Sequence, residues 1–248
     1  MRNFMAAMQF LTIFPCGEKD EPRQALAASL PWFPLAGLCL GLVLAGVNTV
    51  LEYFGCDSLL AGAIVIITLV ILTGAIHLDG LADTADALFS GKNREEMLSI
   101  MRDPHIGTMG ALSLAGMLLL QVSVLQAIGS PSKNTALITM CVLSRWSLVF
   151  SMFLFPYARQ DGKAKLFLEN INAKSVGIAT ALAIGIAIVV LSIKGILVFC
   201  AVAGVSYLIN KYIKKRLGGI TGDTLGAINE VSELVAIFSV YALEIIWP

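Results

Sequence analysis

Residues 58–76 read SLLAGAIVIITLVILTGAI, nineteen positions without a charge, and residues 77–88 continue as HLDGLADTADAL, placing Asp79, Asp83 and Asp86 directly behind them. An α-helix rises ~1.5 Å per residue, so about twenty mostly apolar residues cross ~30 Å of hydrocarbon. The apolarity is continuous rather than alternating, which argues for a helix and against a barrel strand. The stretch is therefore expected to be a transmembrane helix ending in acids.

Working outward, six more segments resemble it: 30–51, 106–129, 135–155, 176–193, 195–210 and 232–247. The 248-residue chain is 57% hydrophobic with a mean hydropathy of +0.83, more apolar surface than one soluble core hides. The expected fold class is all-α, a polytopic membrane helical bundle of about seven transmembrane helices. Residues 1–248 are expected to form a single integral-membrane catalytic domain, because no connection is long enough to hold a second one. The first residues, MRNFMAAMQFLTIFPC, carry one charge, Arg2, and no small-residue cleavage site, and read as an interfacial segment. The five cysteines are widely spaced in apolar context and read as core filler.

The net charge of zero conceals an asymmetry. Lys and Arg number three in 1–29, three in 77–105, four in 156–175 and four in 211–231, but only two in the alternate connections, Lys133 and Lys194. The positive-inside rule then puts the N-terminus in the cytoplasm and every acidic cluster on that side. No nucleic-acid partner is expected, and self-association into a homo-oligomer is left open.

Three clusters carry the chemistry. Asp79, Asp83 and Asp86 stand at i, i+4 and i+7, within about 60° of one another on a helix. Ionised together they require a compensating cation; the alternative is a solvated amphipathic face, but Leu81, Ala82 and Ala85 between them and Ala87 and Leu88 after them are apolar. His77 reads as a catalytic group or as an interfacial anchor. In MRDPHIGTMGAL, residues 101–112, Asp103 before Pro104 suits a helix cap, while Gly107 and Gly110 open a helix N-terminus that attracts phosphate, flanked by Arg102 and His105. In RLGGITGDTLGAINEVSELV, residues 216–235, Gly222 and Asp223 open the last span, and Glu230 and Glu233 follow on nearly the same face. Arg145, deep in the fourth apolar segment, must pair with a carboxylate, line a wet cavity or meet a phosphate. Arg159, Lys163 and Lys165 add cations on the same side, with Arg159 the best placed for substrate. Carboxylates, glycine-opened helices and cations at one face suit Mg²⁺ and a polyphosphate, since Mg²⁺ takes one or two carboxylates with phosphate oxygens and water.

On FLTIFP (10–15), HLDGLADTADAL (77–88), MRDPHIGTMGAL (101–112), SRW (144–146), PYARQDG (156–162) and GGITGDTLGAINE (218–230), the chain resembles the cobalamin synthase (adenosylcobinamide-GDP ribazoletransferase) family nearly end to end. The resemblance implies a multi-pass enzyme of the inner, cytoplasmic membrane. Such an enzyme uses Mg²⁺ to condense adenosylcobinamide-GDP with α-ribazole or α-ribazole 5'-phosphate, giving adenosylcobalamin or its 5'-phosphate and releasing GMP. Asp79, Asp83 and Asp86, with Asp103 or Asp223, would hold the metal; Glu230 or His77 would serve the attacking hydroxyl; and Arg102, His105, Gly107, Gly110, Arg145, Arg159 and Gly222 would meet substrate. Two alternatives stand beside it. A CDP-alcohol phosphatidyltransferase shares the Asp-Gly start and a nearby Ala, but here Asp83 stands where that motif has Arg. An ion-coupled transporter would also carry intramembrane acids, though nearer the midplane.

Overall fold

The structure, a computed structural model, describes residues 2–16, 28–159, 161–162 and 164–247; Lys163 lies outside the described residues. Helix α1 (Arg2–Leu11) is followed by a 3-10 turn (Leu30–Trp32) that leads directly into α2 (Phe33–Tyr53). Then come α3 (Ser58–Thr73), α4 (Ile76–Phe89), α5 (Arg94–Ile100), α6 (Thr108–Ala127), α7 (Ser130–Leu154), α8 (Lys165–Asn170), α9 (Ala173–Leu191), α10 (Lys194–Leu217) and α11 (Gly222–Ile246). Among the described residues six helices are long and apolar enough to cross a membrane, and a seventh span is reached if the bent pair α3–α4 counts as one.

That bend is the first departure from expectation. Asp57 caps α3 by accepting hydrogen bonds from the amides of Leu59 and Leu60, as its short carboxylate suits it to do. At the other end Gly74 adopts φ 61°, its amide reaching Ile71 O while the amide of Ala75 reaches Val70 O, a Schellman closure. Ala75 is also left-handed, at φ 59°, and the chain leaves at 92° as α4. The aspartates therefore belong to a new helix crossing the end of the span, and do not extend the span itself.

Helix α7 is the axis of the bundle, touching α2, α9, α10 and α11, and 78% of its most apolar stretch is buried against 17% for α9. Lipid supplies no hydrophobic drive between spans, so close backbone approach matters. Gly37 of α2 provides it: a Cβ there would stand 2.2 Å from the carbonyl oxygen of Cys141. The last two spans also differ from expectation. The sixth continues to Leu217 as an amphipathic extension carrying Lys214, Lys215 and Arg216, and the seventh begins at Gly222, ten residues before the apolar run. Cys200, expected as core filler, is exposed on α10.

Two connections fix the ends that matter. Ile220 donates its amide to Pro156 O and accepts from the amide of Ala158, both at 2.8 Å, a short parallel bridge between the segment that follows α7 and the segment that follows α10. Arg94 reinforces it from α5, donating from Nε to Leu217 O at 2.7 Å and from Nη2 to Ala158 O at 3.0 Å.

Candidate active site

Helix α4 crosses the start of α11 at two glycines. A Cβ on Gly80 would lie 2.5 Å from the carbonyl oxygen of Asp223, and one on Gly226 would lie 2.9 Å from that of His77. No side chain larger than hydrogen fits either place, so backbones meet and the residues flanking Gly80 are carried beside Asp223. The start of α11 is set by Thr221, whose hydroxyl accepts from the amide of Thr224 while Thr224 Oγ1 accepts from the amide of Thr221. Asp223 then falls in the first turn, where the helix dipole favours an anion. The Pro156–Ile220 bridge brings in Arg159, whose Nη2 stands 2.7 Å from Asp223 Oδ2.

These residues border a cavity of about 350 Å³. Its polar boundary includes His77, Asp79, Tyr157, Arg159, Gly222 and Asp223, and its apolar boundary is built largely from Phe10, Phe33, Leu148, Met152 and Phe167. Five sequence candidates from three distant segments, His77, Asp79, Arg159, Gly222 and Asp223, thus border one cavity. His77 is buried, and its Nδ1 has no hydrogen-bond partner among the described residues. Asp79 and Asp83 likewise have no hydrogen bond or ion pair within the described residues, although Asp83 lies within electrostatic reach of Asp79, Asp223, Asp86 and Arg159. Gly162 (φ 151°) closes the rim, since a Cβ there would fall 2.0 Å from the Tyr157 hydroxyl. Burial pushes the Tyr157 phenol above its usual range, against the opposing pull of Arg159 and Arg102.

The row of aspartates leads away from the cavity to the N-terminus of α6. There the two oxygens of Asp86 accept from the amides of Gly107, at 2.7 Å, and Gly110, at 2.8 Å. The anion expected at this glycine-opened helix start is supplied by the protein itself. Gly107 and Gly110 are glycines because Asp86 fills the space a Cβ would need, at 2.5 Å and 2.4 Å. Each carboxylate oxygen keeps a second lone pair, so this anchoring leaves Asp86 able to bind a further group. Arg102, Asp103 and His105 lie exposed on the loop before α6 and do not border the cavity. Asp103 Oδ1 accepts from the backbone amide of His105 at 3.0 Å and meets its Nδ1 at 2.6 Å, contacts that hold its carboxyl below the usual range.

Arg145 and Glu230 are placed elsewhere again. Arg145 pairs with Glu233 in the middle of the bundle, both fully buried, and Glu233 also accepts from Asn229 at 2.9 Å and from Gln121 at 3.3 Å. Glu230 borders the same small internal pocket, together with Gln121, Arg145 and Glu233. The expectation of a carboxylate partner for Arg145 is thus met by Glu233, one turn beyond Glu230. Neither Arg145 nor Glu230 borders the cavity of Asp79 and Asp223. The aromatic wall escaped sequence reasoning because Phe10, Phe33 and Phe167 lie in three helices far apart in the chain; FLTIFP was noted only as a motif.

Among the described residues no three His, Cys, Asp or Glu side chains converge closely enough to cage an ion unaided. Mg²⁺ does not require a cage, because substrate phosphates and water complete its shell around one or two carboxylates. The oxygen donors present fit that demand: among the described residues Asp79 and Asp83 have no partner, and Asp223 is held by the Arg159 guanidinium and by the Thr221 hydroxyl at 3.5 Å. The arrangement as a whole brings carboxylate oxygens and an arginine to one cavity that also has an apolar boundary.

Comparison with known proteins agrees in kind. Residues 3–241 match the family model described as cobalamin-5-phosphate synthase. A protein of Desulforamulus reducens named adenosylcobinamide-GDP ribazoletransferase is 36% identical, the match covering 94% of this chain and 93% of that protein. Proteins of the same name from Thermoanaerobacter sp. strain X514 (36% identical; 96% of each chain) and Roseiflexus sp. strain RS-1 (35%; 93% and 86%) are similar to it. No solved structure matches.

Proposed function

The chain belongs to the cobalamin-5-phosphate synthase family, and from that premise we propose that the cavity between α4 and the start of α11 is where its two substrates are joined. Its activity is that of an adenosylcobinamide-GDP ribazoletransferase, a transferase of cobalamin biosynthesis. The ribose hydroxyl oxygen of α-ribazole, or of its 5'-phosphate, forms a bond to the phosphorus that carries the cobinamide arm. The bond from that phosphorus to the bridging oxygen breaks, and GMP departs with that oxygen.

The residues divide the work by chemistry. Arg159 offers a guanidinium fork to phosphate oxygens, and its pairing with Asp223 holds it in place while no phosphate is bound. His77 borders the cavity, and its Nδ1, buried and without a partner among the described residues, would accept the hydrogen bond of the attacking hydroxyl and then its proton. Asp79 and Asp83, with Asp223 or Asp86 completing the set, would hold Mg²⁺. When bound, the ion neutralises charge on the diphosphate and favours departure of GMP. The hydrocarbon side of the cavity excludes water, which would otherwise hydrolyse the diphosphate.

The observation that carries this reading is the Arg159–Asp223 pair facing one cavity with Asp79. The charge asymmetry supports placing that cavity at the cytoplasmic face of the inner membrane. Purified protein given adenosylcobinamide-GDP and α-ribazole is expected to release one GMP per cobamide formed. Ion flux coupled to substrate in sealed vesicles, without GMP, would favour a transporter instead.

A further inference from the structure

Arg159 stands in the loop after α7, and a side chain on a loop keeps one position only if its backbone is held. The parallel bridge to Ile220 holds it in part, through two hydrogen bonds, at Pro156 and Ala158. That bridge does not use the carbonyl of Ala158, next to Arg159. Nor can α10 use the carbonyl of Leu217, because the last carbonyls of a helix have no partner within it. One side chain from a third element takes both: Arg94 donates from Nη2 to Ala158 O and from Nε to Leu217 O.

The local sequence sets Arg94 in that place. Asn93 Oδ1 accepts from the amide of Glu96 at 3.0 Å, and the amide of Asn93 donates to Glu96 Oε2 at 3.3 Å. This capping box makes Arg94 the first residue of α5. Against it, Gly218 ends α10 in the left-handed region at φ 80°, and a Cβ there would lie 3.1 Å from Arg94 Nε. Glycine serves twice, turning the chain and leaving space for the guanidinium. Nε and Nη2 lie in one rigid plane, so the two carbonyls are fixed relative to each other as well as to α5.

We propose that Arg94, which does not border the cavity, is a positioning residue for the transfer reaction: it ties the backbone beside Arg159 to the end of α10, and so sets where the Arg159 guanidinium meets Asp223 and a phosphate. This rests on Arg159 being a phosphate contact. Without Arg94 the two-bond bridge alone orders the loop, and Arg159 spends part of its time out of place. Misplacement of a contact group by about 1 Å is enough to slow a reaction severely. Arg94 therefore acts only through Arg159, which gives it a signature that a general contribution to folding lacks.

The test is a double-mutant cycle on the full-length protein in detergent. It compares wild type, Arg94→Ala, Arg159→Ala and the double variant by kcat/KM for GMP release from adenosylcobinamide-GDP, with Tm recorded for each. Arg94→Ala is expected to lower kcat/KM roughly tenfold. On the Arg159→Ala background the same change is expected to cost no more than about twofold, since the group it positions is already gone. A loss that multiplies in the double variant overturns the assignment, because Arg94 would then act independently of Arg159. Wild-type kcat/KM in Arg94→Ala overturns it as well. If Arg94→Ala does not fold, Arg94→Lys carries the same cycle: an ammonium lacks the planar fork, so a smaller loss is expected, again absent without Arg159, and a loss that persists there overturns the assignment. Wild-type kcat/KM in Arg159→Ala would instead overturn the reading of Arg159 itself, a result seen before Arg94 is changed.

Discussion

Arg159 Nη2 stands 2.7 Å from Asp223 Oδ2, joining the loop after α7 to the first turn of α11 on the wall of the cavity. The pair is largely buried, with side-chain exposures of 11% and 24%, so neither charge is well solvated. Each holds the other ready for a ligand of opposite sign. Arg159→Ala should lower kcat/KM roughly 100-fold, and Arg159→Lys should recover only part of it, because an ammonium cannot offer the planar fork. Steady-state GMP release at varied adenosylcobinamide-GDP checks this; an alanine variant with unchanged kcat/KM would remove Arg159 from phosphate contact.

The glycine crossing gives a prediction about architecture. Gly80→Val places methyl groups where the Asp223 carbonyl already stands, 2.5 Å from the position of the first added carbon. Helices α4 and α11 must then separate, at a cost of about 1–3 kcal/mol for overpacking, and Asp79 moves away from Asp223. Thermal unfolding in detergent should show a lower Tm, and turnover should fall below that of the wild type. A valine variant of native Tm and full activity would mean that the helices do not meet there.

The buried centre behaves differently from the cavity. Removing one partner of the Arg145–Glu233 pair, as in Glu233→Ala, leaves an uncompensated buried charge and should destabilise by about 3–5 kcal/mol. Replacing both with apolar residues of similar size, Arg145→Met with Glu233→Leu, should restore much of the Tm. Glu230→Gln, which changes a residue off the cavity, should keep turnover within a few-fold of wild type. A severe loss of turnover in Glu230→Gln with native Tm would return that residue to the chemistry.

Asp86 is expected to show a mixed phenotype. Asp86→Ala leaves the Gly107 and Gly110 amides without their acceptor and should cost about 1 kcal/mol, the usual value of a helix cap. Asp86→Asn keeps one carbonyl oxygen and should recover part of the stability. Hydrogen exchange at the start of α6 is the direct measure: protection there should fall in the alanine variant and partly return in the asparagine one. Unchanged protection would show that the cap contributes nothing.

Much of this was legible in the chain because its signals are local. The i, i+4, i+7 spacing of Asp79, Asp83 and Asp86 survives the bend at Gly74, since the new helix starts before the first of them. Asp223 and Arg159 were visible as charges in glycine-rich or cationic loops. What was not legible depends on contacts distant in sequence. Glu230 was the acid the sequence favoured for chemistry, and nothing local showed that Arg145, 88 residues before Glu233, pairs with Glu233. Gly107 and Gly110 looked like a phosphate seat because nothing in their own segment announced Asp86, 21 and 24 residues earlier. Phe10, Phe33 and Phe167 resemble any other aromatic residue in a greasy helix until three helices bring them together.

The central claim is that unpartnered carboxylates on α4 act with a divalent ion on the diphosphate. The direct measurement is the rate of GMP release by reconstituted Asp79→Asn and Asp83→Asn proteins across a Mg²⁺ titration, with Tm recorded in parallel. The expected result is a loss of roughly 100-fold or more at native Tm, a higher Mg²⁺ requirement, and no wild-type turnover under excess chelator. Near-normal rates in both variants, or full wild-type turnover without divalent ions, would contradict it.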